Sequence, residues 1–506
     1  MYAVIQTGAL MGIDAEAVSV ETDLANGLPG MNIVGLPDQS VREAKERIRT
    51  AIRNSGYVFP LKRITVNLAP ADSRKEGTHF DLPIAISLMV ASGSIPQKRA
   101  AAFAFIGELS LDGRVHPVRG ALPLAIGLRR LDMRRLVLPR ENLPEVSLLT
   151  DIELYPVSSL GEAARQLSGE QDLKAVVFER EQRRQLPVKR NLDFSEVLGQ
   201  EPAKRALAVA AAGAHNVLLC GPPGAGKTML AARFPGILPE MDYEERLETM
   251  IIQSISQKPG SSRGETGVRP FRQPHHTVSA AVLVGGGHRP EPGEVTLAHR
   301  GVLFLDELPE FRRSALEALR QPIEDRRVTV SRLNGSVCYP ADFILLATMN
   351  PCPCGYRGVP GKECACTETQ IRRYRNRISG PLIDRIDLVI DLWPVQCEEL
   401  AAGGGGLTTA ELRRQVENAR SIQSERYVKN DAQLNSRLSS GQIRQYCKIG
   451  ASGKLLLEQA YRRFGLSARA YQKVLKLART IADLDSSVSI TDLHLAEALR
   501  YRCHYV

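Results

Sequence analysis

The chain has 506 residues, too many for a single hydrophobic core, and at about 150 residues per domain it predicts roughly three domains. A hydrophobic content of 43% and a charged content of 24% are those of a globular protein, whereas 5% aromatics with one tryptophan, Trp393, argue against an RNA surface built on stacked rings. The net charge of +10 suits a polyanionic partner, although a basic excess also arises from a solvated surface; no apolar run is long enough to predict a membrane span.

The opening segment MYAVIQTGALMGIDAEAVSV has no basic leader ahead of an apolar core. It reads as the start of a β-strand rather than an export signal, and a cytoplasmic protein is expected. Residues 1–167 mix period-two segments such as 63–68 with helical ones such as 41–52, punctuated by GLPG (27–30) and GLPD (35–38), which predicts an α/β domain. Residues 168–191 are rich in charge and poor in apolar side chains, as a linker would be. From 192 to 395 strands alternate with helices, the pattern of a parallel sheet covered by helices. The tract GGGG (403–406) marks a flexible joint, and in 409–506 apolar residues recur at three- and four-residue spacing, which predicts helices.

The central block carries the most specific signal. Residues 221–228 read GPPGAGKT directly after the apolar run 217–220, a phosphate-binding loop of the form G-x-x-x-x-G-K-[ST]. Gly221, Gly224 and Gly226 allow the backbone to close on phosphate oxygens, with Pro222, Pro223 and Ala225 completing the loop. Lys227 is expected to reach the outer phosphates and the Thr228 hydroxyl to sit on Mg²⁺; Met229 continues into the helix whose positive end faces the ligand.

Further along, GVLFLDE (301–307) is a buried strand ending in two carboxylates at the ligand crevice of an open sheet. Asp306 is expected to hold Mg²⁺ through water and Glu307 to orient or activate the attacking water. Residues 327–340 alternate Val328 and Val330 and carry an Asn334-Gly335 turn signal, which predicts a β-hairpin. The strand FILLATMN (343–350) ends on Asn350, whose amide either touches the water or terminal phosphate or simply ends the strand.

The nine cysteines are an odd number in a long chain, which argues against a disulfide framework. Cys352, Cys354, Cys364 and Cys366 form two C-x-C pairs nine residues apart, with Gly355, Gly358 and Gly361 between them. Four thiolates at this spacing can close a tetrahedral Zn²⁺ site; the alternative is reduced cysteines on an irregular loop. Arg385, in GPLIDRIDL (380–388), lies between acidic residues, and Arg469, in LSARAYQK (466–473), lies near the start of a helix that Ser467 can cap. Two arginines from separate segments can neutralise charge on a transferred phosphoryl group; for Arg385 the alternative is a local ion pair.

The order of phosphate loop, apolar-DE strand, ATMN strand, DRID segment and SAR helix resembles AAA+ ATPases, in the branch shared by magnesium-chelatase ATPase subunits and minichromosome-maintenance helicases. The segments ALMGIDAEAVSVETDLANGLPGMNIVGLPDQSVREAKERIRTAI, LKRITVNLAPADSRKEGTHFDLPIAISL, RPFRQPHHTVSAAVLVGGG and PGEVTLAHRGVLFLDELPEF are similar to the YifB/ComM family, and the resemblance covers essentially the whole chain. It implies ATP and Mg²⁺ as cofactors, Asn350 as the first sensor, Arg385 as an arginine finger supplied to a neighbour's ATP, and Arg469 as the second sensor in a helical lid. A finger acting in trans implies a ring, usually a hexamer. Related helicases point the hairpin before the first sensor into a central pore, so Arg332 and Asn334 are candidate DNA contacts, with a solvated tip as the alternative. Residues 269–288 resemble the insertion these branches carry after the second helix; the adjacent His275 and His276 are expected to point apart, which disfavours a metal site there.

Residues 1–167 resemble the proteolytic domain of Lon proteases through KEGTHFDLPIA (75–85) and GELSLDGRVHP (107–117). The serine and lysine of a Ser–Lys pair are missing from the expected segments, which argues against peptidase activity. By analogy with the inactive Lon-like domain of a recombination ATPase, this block is expected to be an assembly or DNA-binding scaffold. The expected architecture is therefore α/β: a Lon-like domain (1–167), a linker (168–191), an AAA+ P-loop core (192–395) and a helical lid (409–506). The expected function is an ATP-driven hexameric motor on DNA, a branch-migration helicase in recombination or natural transformation. The alternative is a chelatase-type ATPase that remodels a protein partner; the Lon-like block and the lack of an acidic, proline-rich linker with an integrin-like domain weigh against it.

Overall fold

Along Arg63–Ala69 every second side chain, Ile64, Val66 and Leu68, is buried, as a half-buried strand requires. In the computed structural model of the chain this strand lies second in a seven-stranded mixed sheet. Its order is Gly30–Val34, Arg63–Ala69, Asp14–Ala25, Tyr2–Met11, Ala104–Phe105, Arg135–Pro139 and Glu153–Val157. Tyr2–Met11 and Asp14–Ala25 form an antiparallel hairpin in continuous register from Tyr2↔Asp23 to Met11↔Asp14. Helix Gln39–Asn54 turns Val41, Ala44, Ile48 and Ile52 to the core, and its N-cap Asp38 accepts the Val41 N–H. Helix Asp81–Ala91 is buried at every position.

The structure describes residues 1–176, 192–256, 268–286, 291–332, 335–395, 406–427 and 434–502. They fall into two units, one drawn from Met1–Pro187 and Tyr243–Thr266, the other from Val188–Asp242 and Gly267–Val506. Sequence order and spatial grouping therefore differ. Helix Tyr243–Ser256 follows the phosphate-loop helix in the chain, yet its Leu247, Met250 and Ile251 join Leu122, Ala125 and Ile126 in a core of the first unit. Its C-terminal carbonyls are also taken up there: Gly120 N–H donates to Ser254 O at 3.0 Å, and Arg119 Nε donates to Ile255 O.

The second unit is built on a five-stranded, all-parallel sheet in the order Phe271–Arg272, Val302–Leu305, Ile344–Met349, Val217–Cys220, Leu388–Asp391. The four longer strands are apolar and almost wholly buried, because helices cover both faces of such a sheet. The C-terminal helices Thr409–Tyr427 and Ala468–Leu484 do not pack as a separate bundle. Their Leu412, Val416, Val474, Leu477 and Ile481 share one continuous core with Ala206, Val209 and Leu219. Ser467 caps the latter helix, accepting the Ala470 N–H at 3.2 Å.

The expected hairpin forms: Arg327–Arg332 pairs antiparallel with Gly335–Pro340, from Arg327↔Pro340 to Arg332↔Gly335. Asn334 and the side chain of Arg332 lie outside the described residues. His275 and His276 do not point apart; their rings lie 4.1 Å from each other at 34°, because the backbone turns there instead of running extended. Among the described residues, no helix is long and apolar enough to cross a membrane.

Candidate nucleotide site

Strand Val217–Cys220 lies between Ile344–Met349 and Leu388–Asp391 in the sheet, and the phosphate loop leaves its C-terminal end. Gly224 and Gly226 adopt φ of +80° and +84° with open space where a Cβ would stand, so the loop turns tightly without closing its own concavity. Gly221 is fixed for a different reason: a Cβ there would lie 2.7 Å from Leu392 O. Helix Lys227–Ile237 starts immediately after Gly226, which directs its unpaired N–H groups at the loop. Thr228 and Met229 are exposed, whereas Ala225 and Leu230 anchor the turn in the core.

Lys227 Nζ donates to Gly221 O at 2.6 Å, Pro222 O at 2.9 Å and Asn350 Oδ1 at 2.9 Å. Burial lowers the pKa of this ammonium, while Cys220, Asp306 and Glu307 pull it the other way. Asn350 thus reaches the lysine of the loop, as an amide at the end of the neighbouring strand can. Thr228 Oγ1 donates to Asp306 Oδ2 at 3.3 Å. This hydroxyl and carboxylate are hard oxygen donors within reach of one ion, which suits Mg²⁺.

Thr348 was not singled out by the sequence, yet it organises both acids. Its hydroxyl donates to Asp306 Oδ1 at 2.5 Å and accepts the Glu307 N–H at 3.0 Å. Glu307 sits at φ 54°, in the left-handed region, a conformation that costs energy outside glycine and is held by this bond. The one available signal was a hydroxyl in an otherwise apolar strand, two residues before Asn350. Gln200 was also missed; its Nε2 donates to Trp393 O at 2.6 Å and to Ala225 O at 3.4 Å, tying the loop to the end of the adjacent strand.

Arg385 and Arg469 lie together. Arg385 donates to Arg320 O at 3.0 Å and Pro381 O at 2.9 Å and pairs with Glu324, and Arg469 reaches the same Glu324 at 3.3 Å. Among the described residues, neither bonds to the phosphate loop. The DRID segment is also held from below: Lys473 Nζ, one helical turn from Arg469, meets Asp387 Oδ1 at 2.6 Å, and His215 lies 3.6 Å from Oδ2. Burial alone would raise the Asp387 pKa, but Lys473 and His215 hold it well below the usual carboxylate range.

The four clustered cysteines converge. The ligand-capable atoms of Cys352, Cys354, Cys364 and Cys366 all lie within 4.8 Å of one another. Sγ of Cys352 is 3.4 Å from that of Cys354 and 3.6 Å from that of Cys364, and Cys354 and Cys364 are also 3.6 Å apart. The Cys354 N–H donates to Cys366 Sγ at 3.4 Å. Elsewhere Cys220 and Cys447 are single buried thiols, each pushed up to about 12 by burial.

Three family models match successive segments of the chain. Residues 193–400 match the family model described as magnesium chelatase, subunit ChlI. Residues 20–142 match subunit ChlI of Mg-chelatase, and residues 406–502 match magnesium chelatase, subunit ChlI C-terminal. The chain is 44% identical to the competence protein ComM of Haemophilus influenzae over 502 residues, 99% of this chain and 97% of ComM. It is 43% identical to YifB of Escherichia coli over 507 residues, again 99% and 97% of the two chains. Lon protease 2 of Bacillus subtilis is 30% identical over 145 residues, 27% of this chain and 26% of that protease.

Proposed function

The chain belongs to the ComM/YifB family of magnesium-chelatase-like AAA+ ATPases, and from that premise we propose that it is an ATP-driven hexameric motor acting on DNA in the cytoplasm, a branch-migration helicase of recombination or natural transformation. The observation that carries the ATPase reading is the convergence of Lys227, Thr228, Asp306 and Asn350, with Glu307 one residue beyond Asp306, on one glycine loop. In this reading residues 221–229 wrap the triphosphate. Lys227 exchanges the Gly221 and Pro222 carbonyls and the Asn350 amide for the outer phosphate oxygens. Thr228 and Asp306 hold Mg²⁺, which when bound offsets the charge of the phosphates. Glu307 orients the attacking water and takes up its proton, and Asn350 senses the terminal phosphate.

The pairing of Arg385 with Glu324, away from its own phosphate loop, supports its reading as a finger at the nucleotide of an adjacent subunit, and hence a ring, with Arg469 on the same Glu324 as the second sensor of the lid. The name of the relative ComM, a competence protein, and the net charge of +10 support DNA as the load. The 327–340 hairpin is then the pore element, with Arg332 and Asn334 at its tip, and residues 1–167 serve as a scaffold for assembly or DNA. The cysteine cluster we assign to zinc. Tetrahedral coordination with Zn–S bonds of ~2.3 Å spaces sulfurs ~3.8 Å apart, close to the 3.4–3.6 Å separations present here.

The test is migration of a synthetic four-way DNA junction. The parent protein should move the branch only with ATP, while Glu307→Gln should bind ATP and junction and leave the branch in place. An ATPase rate unchanged by forked or four-way DNA, together with no strand movement, would overturn the motor and favour chelatase-type remodelling of a protein.

A further inference from the structure

The cysteine loop does more than fold on itself. It leaves the sheet directly after Asn350, the residue whose amide holds Lys227. Cys352 is buried, and its carbonyl accepts the Gly355 N–H at 3.0 Å, closing a tight turn. Gly355 has φ +84°, and a Cβ there would lie 2.6 Å from Cδ and 3.0 Å from Cγ of Pro223, the exposed third residue of the phosphate loop, and 3.9 Å from the Asn350 amide carbon. Backbone is therefore pressed against a rigid ring of the phosphate loop, and only glycine permits both the dihedral and the distance. Three residues on, Gly358 approaches the Trp393 ring, where a Cβ would lie 3.7 Å from Cη2. The Trp393 carbonyl is the group that Gln200 uses to brace Ala225.

Between Pro351 and Thr367 the loop has turns but no helix or strand. It is tied by short-range backbone bonds, by Lys362 over the Tyr356 ring at 4.5 Å, by the half-exposed pair of Arg357 with Glu368 at 2.9 Å, and by the four-sulfur cluster, which joins its first residues to its last. Loop closure of this length without a cross-link costs conformational entropy that turns alone offset poorly. The second C-x-C pair in turn runs into helix Glu368–Arg375, fixed by the Thr367/Gln370 capping box.

We infer that the cysteine cluster, loaded with Zn²⁺, is a clamp on the nucleotide site: by closing loop 351–366 it holds Gly355 against Pro223 and keeps Asn350 in register with Lys227. This rests on the zinc assignment above but makes a separate claim, that metal occupancy sets nucleotide affinity. The metal is a brace here and touches no reacting atom.

The experiment measures zinc content of the purified full-length protein by atomic absorption and affinity for a fluorescent ATP analogue by titration. Three samples are compared: as purified, stripped with a zinc chelator and exchanged into buffer, and re-loaded with ZnCl₂. Gly355→Ala is measured alongside, since it retains all four sulfurs while straining the turn at Gly355 and its contact with Pro223, and its zinc content shows whether the cluster survives the strain. The expected result is one zinc per chain in both parent and Gly355→Ala. Nucleotide affinity should fall about tenfold on stripping and return on re-loading, and Gly355→Ala should show the same loss with zinc in place. One zinc per chain with affinity unchanged by stripping and by Gly355→Ala overturns the clamp and leaves the zinc site standing. Protein that neither carries nor takes up zinc overturns both. If the stripped protein unfolds, Gly355→Ala decides alone: normal affinity refutes the clamp, and weakened affinity with zinc retained supports it.

Discussion

Two polar constellations, one in each unit, teach how to tell structure from chemistry. In the first unit the segment that resembles a protease site is sealed. Asp81 is fully buried and receives Arg47 Nε at 2.9 Å, Arg47 Nη2 at 3.1 Å and the Leu109 N–H at 3.3 Å. His79 is buried with Nε2 2.9 Å from Gly8 O, and Lys75 Nζ is bonded to Ser73 and the Pro70 carbonyl. Asp81, His79 and Lys75 are themselves buried, so removing one of their partners leaves a buried polar group short of a bond. In the second unit Lys227 also has three partners, but they are loop carbonyls and an amide at the open end of a sheet, beside exposed Gly224 and Thr228. Such bonds can be exchanged for a ligand's. Burial with irreplaceable partners marks a keystone; exposure with replaceable ones marks a site.

The comparison breaks most directly at Lys227. Lys227→Ala should lower ATP turnover by at least ~10³-fold, about 4 kcal/mol of transition-state stabilisation. Its urea unfolding midpoint should stay close to the parent's. A variant that still hydrolyses ATP would remove the basis for the nucleotide site. Asp81→Ala is the mirror image. It should destabilise the first unit by about 2–3 kcal/mol through the lost bonds from Arg47 and the Leu109 N–H, the partly exposed Arg47 keeping Ser40 O and water, with ATP turnover per folded chain retained.

The sealed state of His79 gives a pH test. Burial pushes its pKa from 6.5 down to about 4, so the folded state keeps the ring neutral where the unfolded chain protonates it. The unfolded state binds more protons between these values, and stability from this group is complete above about 6.5 and falls as pH drops towards 4. His79→Gln removes that dependence. Relative to the parent, its unfolding free energy should therefore improve by ~3 kcal/mol between pH 7 and pH 4. Asp81, raised to about 6 by burial despite Arg47, titrates in both proteins and cancels from the difference. A difference independent of pH would show that His79 is solvated. The smallest effect is expected at Thr348. Thr348→Val keeps the shape and loses the bonds to Asp306 and Glu307, and kcat should fall about tenfold with nucleotide affinity little changed.

Much of this was legible because it is local. The phosphate loop, the apolar-DE strand, the 327–340 hairpin and the cysteine spacing are each written within a few consecutive residues, and period and glycine placement suffice to read them. What stayed hidden depends on partners remote in sequence. Thr348 reads as an ordinary strand residue until Asp306 and Glu307 are placed beside it. Nothing near Glu324 announces that arginines from two later segments meet there. Helix Tyr243–Ser256 has an evident apolar stripe, but a stripe does not say which surface it covers. His275 and His276 were misread because alternation was assumed where the backbone turns.

That helix has a consequence for how such a chain can be inherited. The chain crosses between its units three times, and Leu247, Met250 and Ile251 find their partners in the first. A single crossover within 168–191 that grafted a new N-terminal block onto this ATPase would bring the helix along without its counterpart surface. The graft would carry an uncovered apolar stripe, an aggregation liability. The two units are consequently not interchangeable cassettes, and a recombination event that preserves folding must move residues 1–176 and 243–256 together.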